Sequence, residues 1–456
     1  MKPLRLLALL GSICFLLAGL APPAAAFCGF YVSQADASLY NQASQVVIAR
    51  DRDRTILTLA NDYQGNAQDF ALVVPVPVEI TEEQVNVGDP KVLTRLDEFS
   101  APRLVEYFDE DPCNPYIYNS APGRGAADTS APIPEAAERD REQSLGVTIE
   151  ASFSVGEYDI LILSAKESSG LETWLRENDY NIPRGASRVL QPYIRQEFKF
   201  FVAKVNLEEF DRSAFQSLRP LQIAYESPRF MLPIRLGMLN AKGDQDLIVY
   251  ILTPSGRVEV SNYRTVPIAS NVNVPEFVEE EFGAFYKAMF QKSYETEKKE
   301  VAFLEYAWDM SWCDPCAANP LTPEELRQAG VFWLGNNNGG DRRLPPTPGP
   351  QNVYITRLHV RYARNKFPED LGFQTTGNRE NYQGRYVIQR PYRGEMDCDA
   401  ATDYREYVRD RQEQELDTVV KLTGWEKSDL RSKVDWLDEP QQKPDPEPWW
   451  RDIWNR

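Results

Sequence analysis

Short runs rich in branched and aromatic residues, many with turn residues between them, recur along most of the chain. Punctuation of this kind argues for a fold built on one or more mostly antiparallel sheets. The first three runs are Gln45 to Ala49, Arg54 to Ala60 and Asp69 to Val76, with Asn61 to Gly65 as a turn before the third. Their spacing predicts an antiparallel meander. The third run ends in Val73-Val74-Pro75-Val76-Pro77-Val78, and proline, which lacks a backbone donor, restricts it to a sheet edge or extended backbone. This ridge is expected to form a wall of the core, since exposed apolar patches of that size are uncommon on soluble proteins.

Strand patterns resume at Val147 to Phe153, Tyr158 to Leu163, Phe198 to Val205, Leu221 to Tyr225, Phe230 to Leu236, Asp246 to Leu252 and Arg257 to Val260, then at Val301 to Tyr306 and Val353 to Tyr362. Helices fall between them without strict alternation. The expected class is therefore α+β, with mostly antiparallel sheets, interspersed helices and disulfide support. One helix is predicted to open on a capping box of Ser169 and Glu172 and to carry Leu171, Trp174 and Leu175. Another is predicted to open at Pro275, with Val278, Phe282, Phe285 and Met289 on one stripe.

Composition divides the chain further. Residues Asp111 to Gly146 carry almost no large aliphatics after Ile117 and read as a flexible linker or long loop. The expected parts are a leader at 1–26, a β-rich part at 27–112, the linker at 113–146, a central α+β part at 147–310, a C-terminal part at 311–437 and a proline- and tryptophan-containing tail at 438–456. Gly335 to Gln351 is expected to be loop, and no internal repeat is visible.

The leader carries the clearest functional signal. Lys2 and Arg5 precede an apolar run from Leu6 to Leu20, and Ala24-Ala25-Ala26 supplies small residues for signal peptidase, so the mature chain is expected to begin at Phe27. The run is shorter than the roughly 20 apolar residues needed to span a bilayer, and no later stretch is long enough. Lipid attachment is disfavoured because Phe27, a large residue, precedes Cys28. The expectation is export through a cleaved signal peptide to a periplasm or the exterior, with no transmembrane anchor in the mature chain. A formal net charge of -18 makes nucleic acid and anionic lipid poor partners. An unknown protein or cell-envelope component is the expected partner.

Of six cysteines, Cys14 leaves with the leader, so Cys28, Cys113, Cys313, Cys316 and Cys398 are the disulfide candidates in an oxidising compartment. Five is odd, and the spacing leaves the pairing open. Trp312-Cys313-Asp314-Pro315-Cys316 looks like the active-site loop of thioredoxins, in which a low-pKa thiolate attacks a disulfide and the second cysteine resolves the intermediate. Such a thiolate needs a helix N-terminus, however, and the clear helix start is Thr322-Pro323-Glu324-Glu325, well beyond Cys316. A structural or surface-loop disulfide is the preferred reading, with no catalytic residue assigned and Cys313 and Cys316 as the alternative.

No metal or cofactor is expected. Zinc on Cys313, Cys316 and Cys398 lacks a second C-x-x-C or a histidine pair, and Asn336 to Asp341 lacks the ligand spacing of an EF-hand. Asp51 with Asp53, or Asp109 with Glu110 and Asp111, could serve a hydrolase as paired carboxylates, but the bland reading of such pairs is a solvated face. His359, the single histidine, lies in an alternating strand between Leu358 and Val360 and is read as structural. Trp449, Trp450 and Trp454 either pack back on the body or dock on a partner.

Several long motifs carry a family likeness. Phe27 to Val32, Ala60 to Gly65, Phe70 to Pro77, Ser100 to Tyr107, Ser164 to Leu171, Pro228 to Leu239 and Tyr306-Ala307-Trp308-Asp309 together resemble the bacterial domain-of-unknown-function family 2330. The resemblance spans nearly the whole mature chain. It implies an exported bacterial protein and brings no activity, cofactor or catalytic residue. The expected function is thus a binding, scaffold or structural protein of the envelope or exterior, with a thiol-disulfide oxidoreductase and then a hydrolase as the alternatives.

Overall fold

A computed structural model describes residues 30–32, 40–64, 71–114, 146–178, 185–212, 218–239, 243–312, 314, 319–334 and 352–437. The chain forms two compact units. Unit 1 draws on Met1–Ser100, Ala126–Val266 and Lys299–Tyr382, and unit 2 on Ala101–Gly125, Pro267–Lys298 and Gln383–Arg456.

Unit 1 is built around a nine-stranded sheet. Tyr40–Asp51 and Arg54–Gln64 form a hairpin, and the second strand continues antiparallel to Leu221–Glu226 and then Val85–Val87. On its other side Tyr40–Asp51 runs parallel to Gln245–Thr253, which pairs antiparallel with Tyr354–Tyr362 and through it with Val301–Asp309. A second sheet of five antiparallel strands runs Phe30–Val32, Ala71–Val76, Lys199–Val205, Tyr158–Ala165 and Val147–Val155.

Strand alternation sorts the side chains into three cores. Val46, Ile48, Leu57 and Val249 face Leu72, Val74, Ile160 and Phe201 between the two sheets. Val47, Ala49, Tyr250 and Ile355 point the other way, onto Leu96 and Phe99 of the Lys91–Ser100 helix and Leu326 of the Pro323–Gln328 helix. Val73, Leu163, Phe200 and Val202 leave the second sheet on its far side and pack on Leu171, Leu175 and Leu190 of the Ser168–Glu177 and Ala186–Arg195 helices. The layers therefore run helix, sheet, sheet, helix. Strands buried on both faces explain the near-continuous apolar runs in the sequence.

Unit 2 has a three-stranded sheet in the order Val272–Asn273, Arg385–Arg390, Arg103–Phe108, and its strands run parallel. The helices Phe282–Thr296 and Ala400–Thr423 pack on one another, and the buried Tyr386 ring meets Phe285 edge-on at 5.1 Å. A disulfide joins Cys113 to Cys398, 285 positions apart.

The α+β class with mostly antiparallel sheets holds, and several local expectations need correction. The first three strands do not form a meander, because Ala71–Val76 belongs to the second sheet. Its Pro75 lies opposite Phe200 of the Lys199–Val205 strand. Ser169 and Glu172 make no capping box: the helix begins at Ser168, and Glu172 instead accepts from Arg176 at 2.7 Å. Pro275 opens a 3-10 turn over Glu276–Val278, and the α-helix starts at Phe282. Within Phe230 to Leu236 the strand is confined to Met231–Leu232.

Candidate functional site

The helix-covered face of the large sheet carries a row of charged side chains. On Tyr354–Tyr362 the period of two puts Arg357, His359 and Arg361 on this face, and Gln245–Thr253 adds Asp246 and Tyr250. Val301–Asp309 contributes Glu305 at a β-bulge between Leu304 and Tyr306, where the extra residue is aimed into the row. The Lys91–Ser100 helix supplies Asp97.

These groups bond in sequence across the sheet. Arg361 donates to both oxygens of Asp246 at 2.8 Å, and His359 Nε2 lies 3.0 Å from Asp246 Oδ1. His359 Nδ1 is 2.7 Å from Glu305 Oε1, while Arg357 Nε donates to Glu305 Oε2 at 2.6 Å. Arg357 Nη1 reaches Asp97 Oδ1 at 2.6 Å, and Tyr250 donates its hydroxyl to the same oxygen at 3.0 Å. Ionised carboxylates only accept hydrogen bonds, so this geometry suits an imidazole ring that carries protons on both nitrogens. Burial by itself disfavours that charge, but Glu305 and Asp246 outweigh it and raise the imidazole pKa. Burial likewise opposes the Asp246 carboxylate, yet His359 and Arg361 bring it down to about 2. Three carboxyl groups thus alternate with two guanidinium groups and the imidazole along the row.

This bonding decides what the row can do chemically. An imidazolium bonded at both nitrogens has no lone pair to take a proton from a serine or a water. The His359 ring bridges Asp246 and Glu305 and so links three strands of the sheet.

The frame of the Cys313/Cys316 loop lies at the end of the Val301–Asp309 strand. The buried Asp314 accepts from Tyr306 at 2.8 Å, Trp308 Nε1 donates to the Trp312 carbonyl at 3.1 Å, and Asp309 accepts from Ser311 and Arg379. Trp312 stands 55% exposed. The helix beyond the loop has the expected start, at Pro323, and a capping box: Thr322 Oγ1 accepts from Glu325 N, and Glu325 accepts from Thr322 N at 2.7 Å. Its positive end thus already faces Glu324 and Glu325. Cys28, Cys313, Cys316, the Asn336 to Asp341 stretch, most of the 113–146 linker and the C-terminal tryptophans lie outside the described residues.

The family model of an uncharacterized protein conserved in bacteria, DUF2330, matches residues 22–374. The chain belongs to the DUF2330 family. No curated protein and no solved structure matches it. The DUF2330 match contains Asp97, Asp246, Glu305, Arg357, His359 and Arg361 together with Cys113, Cys313 and Cys316, whereas Cys398 lies beyond it.

A second charged cluster lies in unit 2, past the last residue of the DUF2330 match for most of its members. Asp109 does not belong to a solvated face as its acidic neighbours suggested. It is only 12% exposed and accepts from Arg411 at 3.1 and 2.9 Å, Tyr404 at 2.7 Å and Gln389 at 2.6 Å. Asp53, by contrast, is exposed beside Arg50. Among the described residues no group of three or more His, Cys, Asp or Glu side chains could hold a metal, and no helix is long and apolar enough to cross a membrane. The sequence reading missed Asp97, Asp246, Glu305 and their arginines. Their trace was there, in the alternation of Arg357, His359 and Arg361 and in Glu305 set inside an apolar run.

Proposed function

We propose that this DUF2330 protein is an exported bacterial protein of the envelope or exterior with a binding, scaffold or structural role. The Cys113–Cys398 bridge carries the reading, because such a bond persists in an oxidising compartment and is rare where thiols are kept reduced. The basic start and apolar run of the leader support the same placement. Against a hydrolase that uses a histidine base stands His359, whose ring nitrogens are both engaged by carboxylates.

The test is recovery of the protein from its own cells with thiols blocked at lysis. The expected result is a chain outside the cytoplasm that begins at Phe27, with Cys113 and Cys398 protected from alkylation until reductant is added. A cytoplasmic chain with both thiols labelled overturns the proposal. A thiol-disulfide oxidoreductase is the second reading, favoured by the exposed Trp312 beside the C-x-x-C pair. It requires rapid alkylation of Cys313 below neutral pH and disulfide reduction that Cys313→Ser abolishes.

A further inference from the structure

Two tyrosine rings of unit 2, Tyr107 and Tyr407, stand 46% and 60% exposed. They come from distant parts of the sequence and border one charged cluster. Tyr107 precedes Asp109 by two positions, and Asp109 N still donates to the Arg390 carbonyl at 2.9 Å, so the extended backbone puts both side chains on one face. There Asp109 meets Tyr404 and Arg411 of the Ala400–Thr423 helix, and the Arg411 guanidinium lies 5.5 Å from the centre of the Tyr407 ring. Phe108, between Tyr107 and Asp109, points to the opposite face.

The helix sets the charge around Tyr407. At about 100° per residue, Tyr404 and Arg411 fall to the side of Tyr407 that faces Asp109, and Asp403 and Asp410 fall to the other. Both aspartates are exposed. Arg405 and Arg409 sit about 160° round the axis from Tyr407, on the far side of the helix. The ring thus has a guanidinium along its inner margin and carboxylates along its outer one.

An exposed ring beside carboxylates suits a partner that brings cations on apolar stems. The π face attracts the cation, the carboxylate pairs with it, and the methylene stem of lysine or arginine covers apolar surface. A second copy of this chain, nucleic acid and anionic lipid are each negative and are repelled by the same groups and by the net charge of -18. We propose that the Tyr107/Tyr407 patch docks a lysine- and arginine-bearing segment of a partner protein, with its cations at Asp403 and Asp410 and its stems across the two rings. This deepens the binding role proposed above and can fail with export intact, because it is measured on purified protein.

The test uses the full mature chain and a short peptide of alternating arginine and glycine that carries a fluorophore and a photoreactive group. At physiological salt the peptide should bind, and irradiation should attach it to residues 103–111 or 400–411 of the unaltered chain. Tyr107→Ser/Tyr407→Ser and Asp403→Asn/Asp410→Asn should each weaken binding about tenfold in fluorescence anisotropy. Glu82→Gln/Glu83→Gln, which removes two exposed charges from unit 1, should change it less than about twofold. Absence of binding, attachment elsewhere on the chain, or equal weakening by the unit 1 pair, the mark of a response to net charge alone, overturns the proposal.

Discussion

Two buried side chains make unit stability depend on pH, each for its own reason. Burial pushes the Glu415 carboxyl of unit 2 up to about 8; Arg411 opposes the shift, and Glu276 and Asp109 add to it. Its Oε1 has no hydrogen-bond partner, with Arg411 Nε at 3.5 Å. The folded form keeps this proton up to about pH 8, whereas the unfolded chain gives it up near an ordinary carboxylate value. Stability of unit 2 should accordingly fall as pH rises through that window. Glu415→Gln is expected to remove the slope and stabilise unit 2 at pH 8 by on the order of 2 to 4 kcal/mol, with little change at pH 4, in denaturant melts at the two pH values. His359 belongs to unit 1, and its raised pKa means that its ion pairs stabilise fully below the unfolded value near 6.5 and are lost as pH rises through the folded one. His359→Gln should cost about 3 kcal/mol at pH 6, because it leaves the buried Glu305 and the half-buried Asp246 without their shared cation, and less at high pH.

Among the elements, the Pro323–Gln328 helix shows how local sequence fixes position. Thr322 and Glu325 cap its start, and Gly330 ends it at φ +94, which lets Gly330 N reach the Arg327 carbonyl and Val331 N the Leu326 carbonyl. A Cβ at Gly330 would stand 2.8 Å from Ile56 Cγ2 on the large sheet. Gly330→Ala is expected to destabilise unit 1 by about 1 to 3 kcal/mol, from backbone strain and the contact together, read as a lower urea midpoint with unchanged slope. This start was legible because both capping residues are local. Ser169 and Glu172 offered the same pattern and failed, since Glu172 found Arg176 one turn on and Ser187 in the next helix. The pairing of Gln45 to Ala49 with Arg54 to Ala60 could be read from their closeness in sequence, but the departure of Ala71–Val76 to another sheet depends on partners at Lys199–Val205, far along the chain. The charged row was hidden for the same reason: Glu305 meets His359 and Arg357 only after strands distant in sequence have paired.

At the scale of the molecule, the family match and the fold divide the chain differently. The match ends at residue 374, while unit 2 gathers segments from both inside and beyond it. Cys113 comes from one segment and Cys398 from another, so the bridge ties together parts of unit 2 that the sequence keeps apart. Cys113→Ala/Cys398→Ala should lower the stability of unit 2 by about 2 to 5 kcal/mol, seen as faster amide exchange in the Phe282–Thr296 and Ala400–Thr423 helices with unit 1 unaffected. The same bridge sets an order of events during synthesis. With 285 positions between the two cysteines, Cys113 waits on the order of 15 to 60 s for its partner at about 5 to 20 residues per second. Cys313 and Cys316 emerge first. Cys28, Cys313 and Cys316 are thus all available before Cys398, so an oxidant that paired thiols in order of appearance in the oxidising compartment would give Cys113 another partner first, and the native bridge would then need thiol exchange.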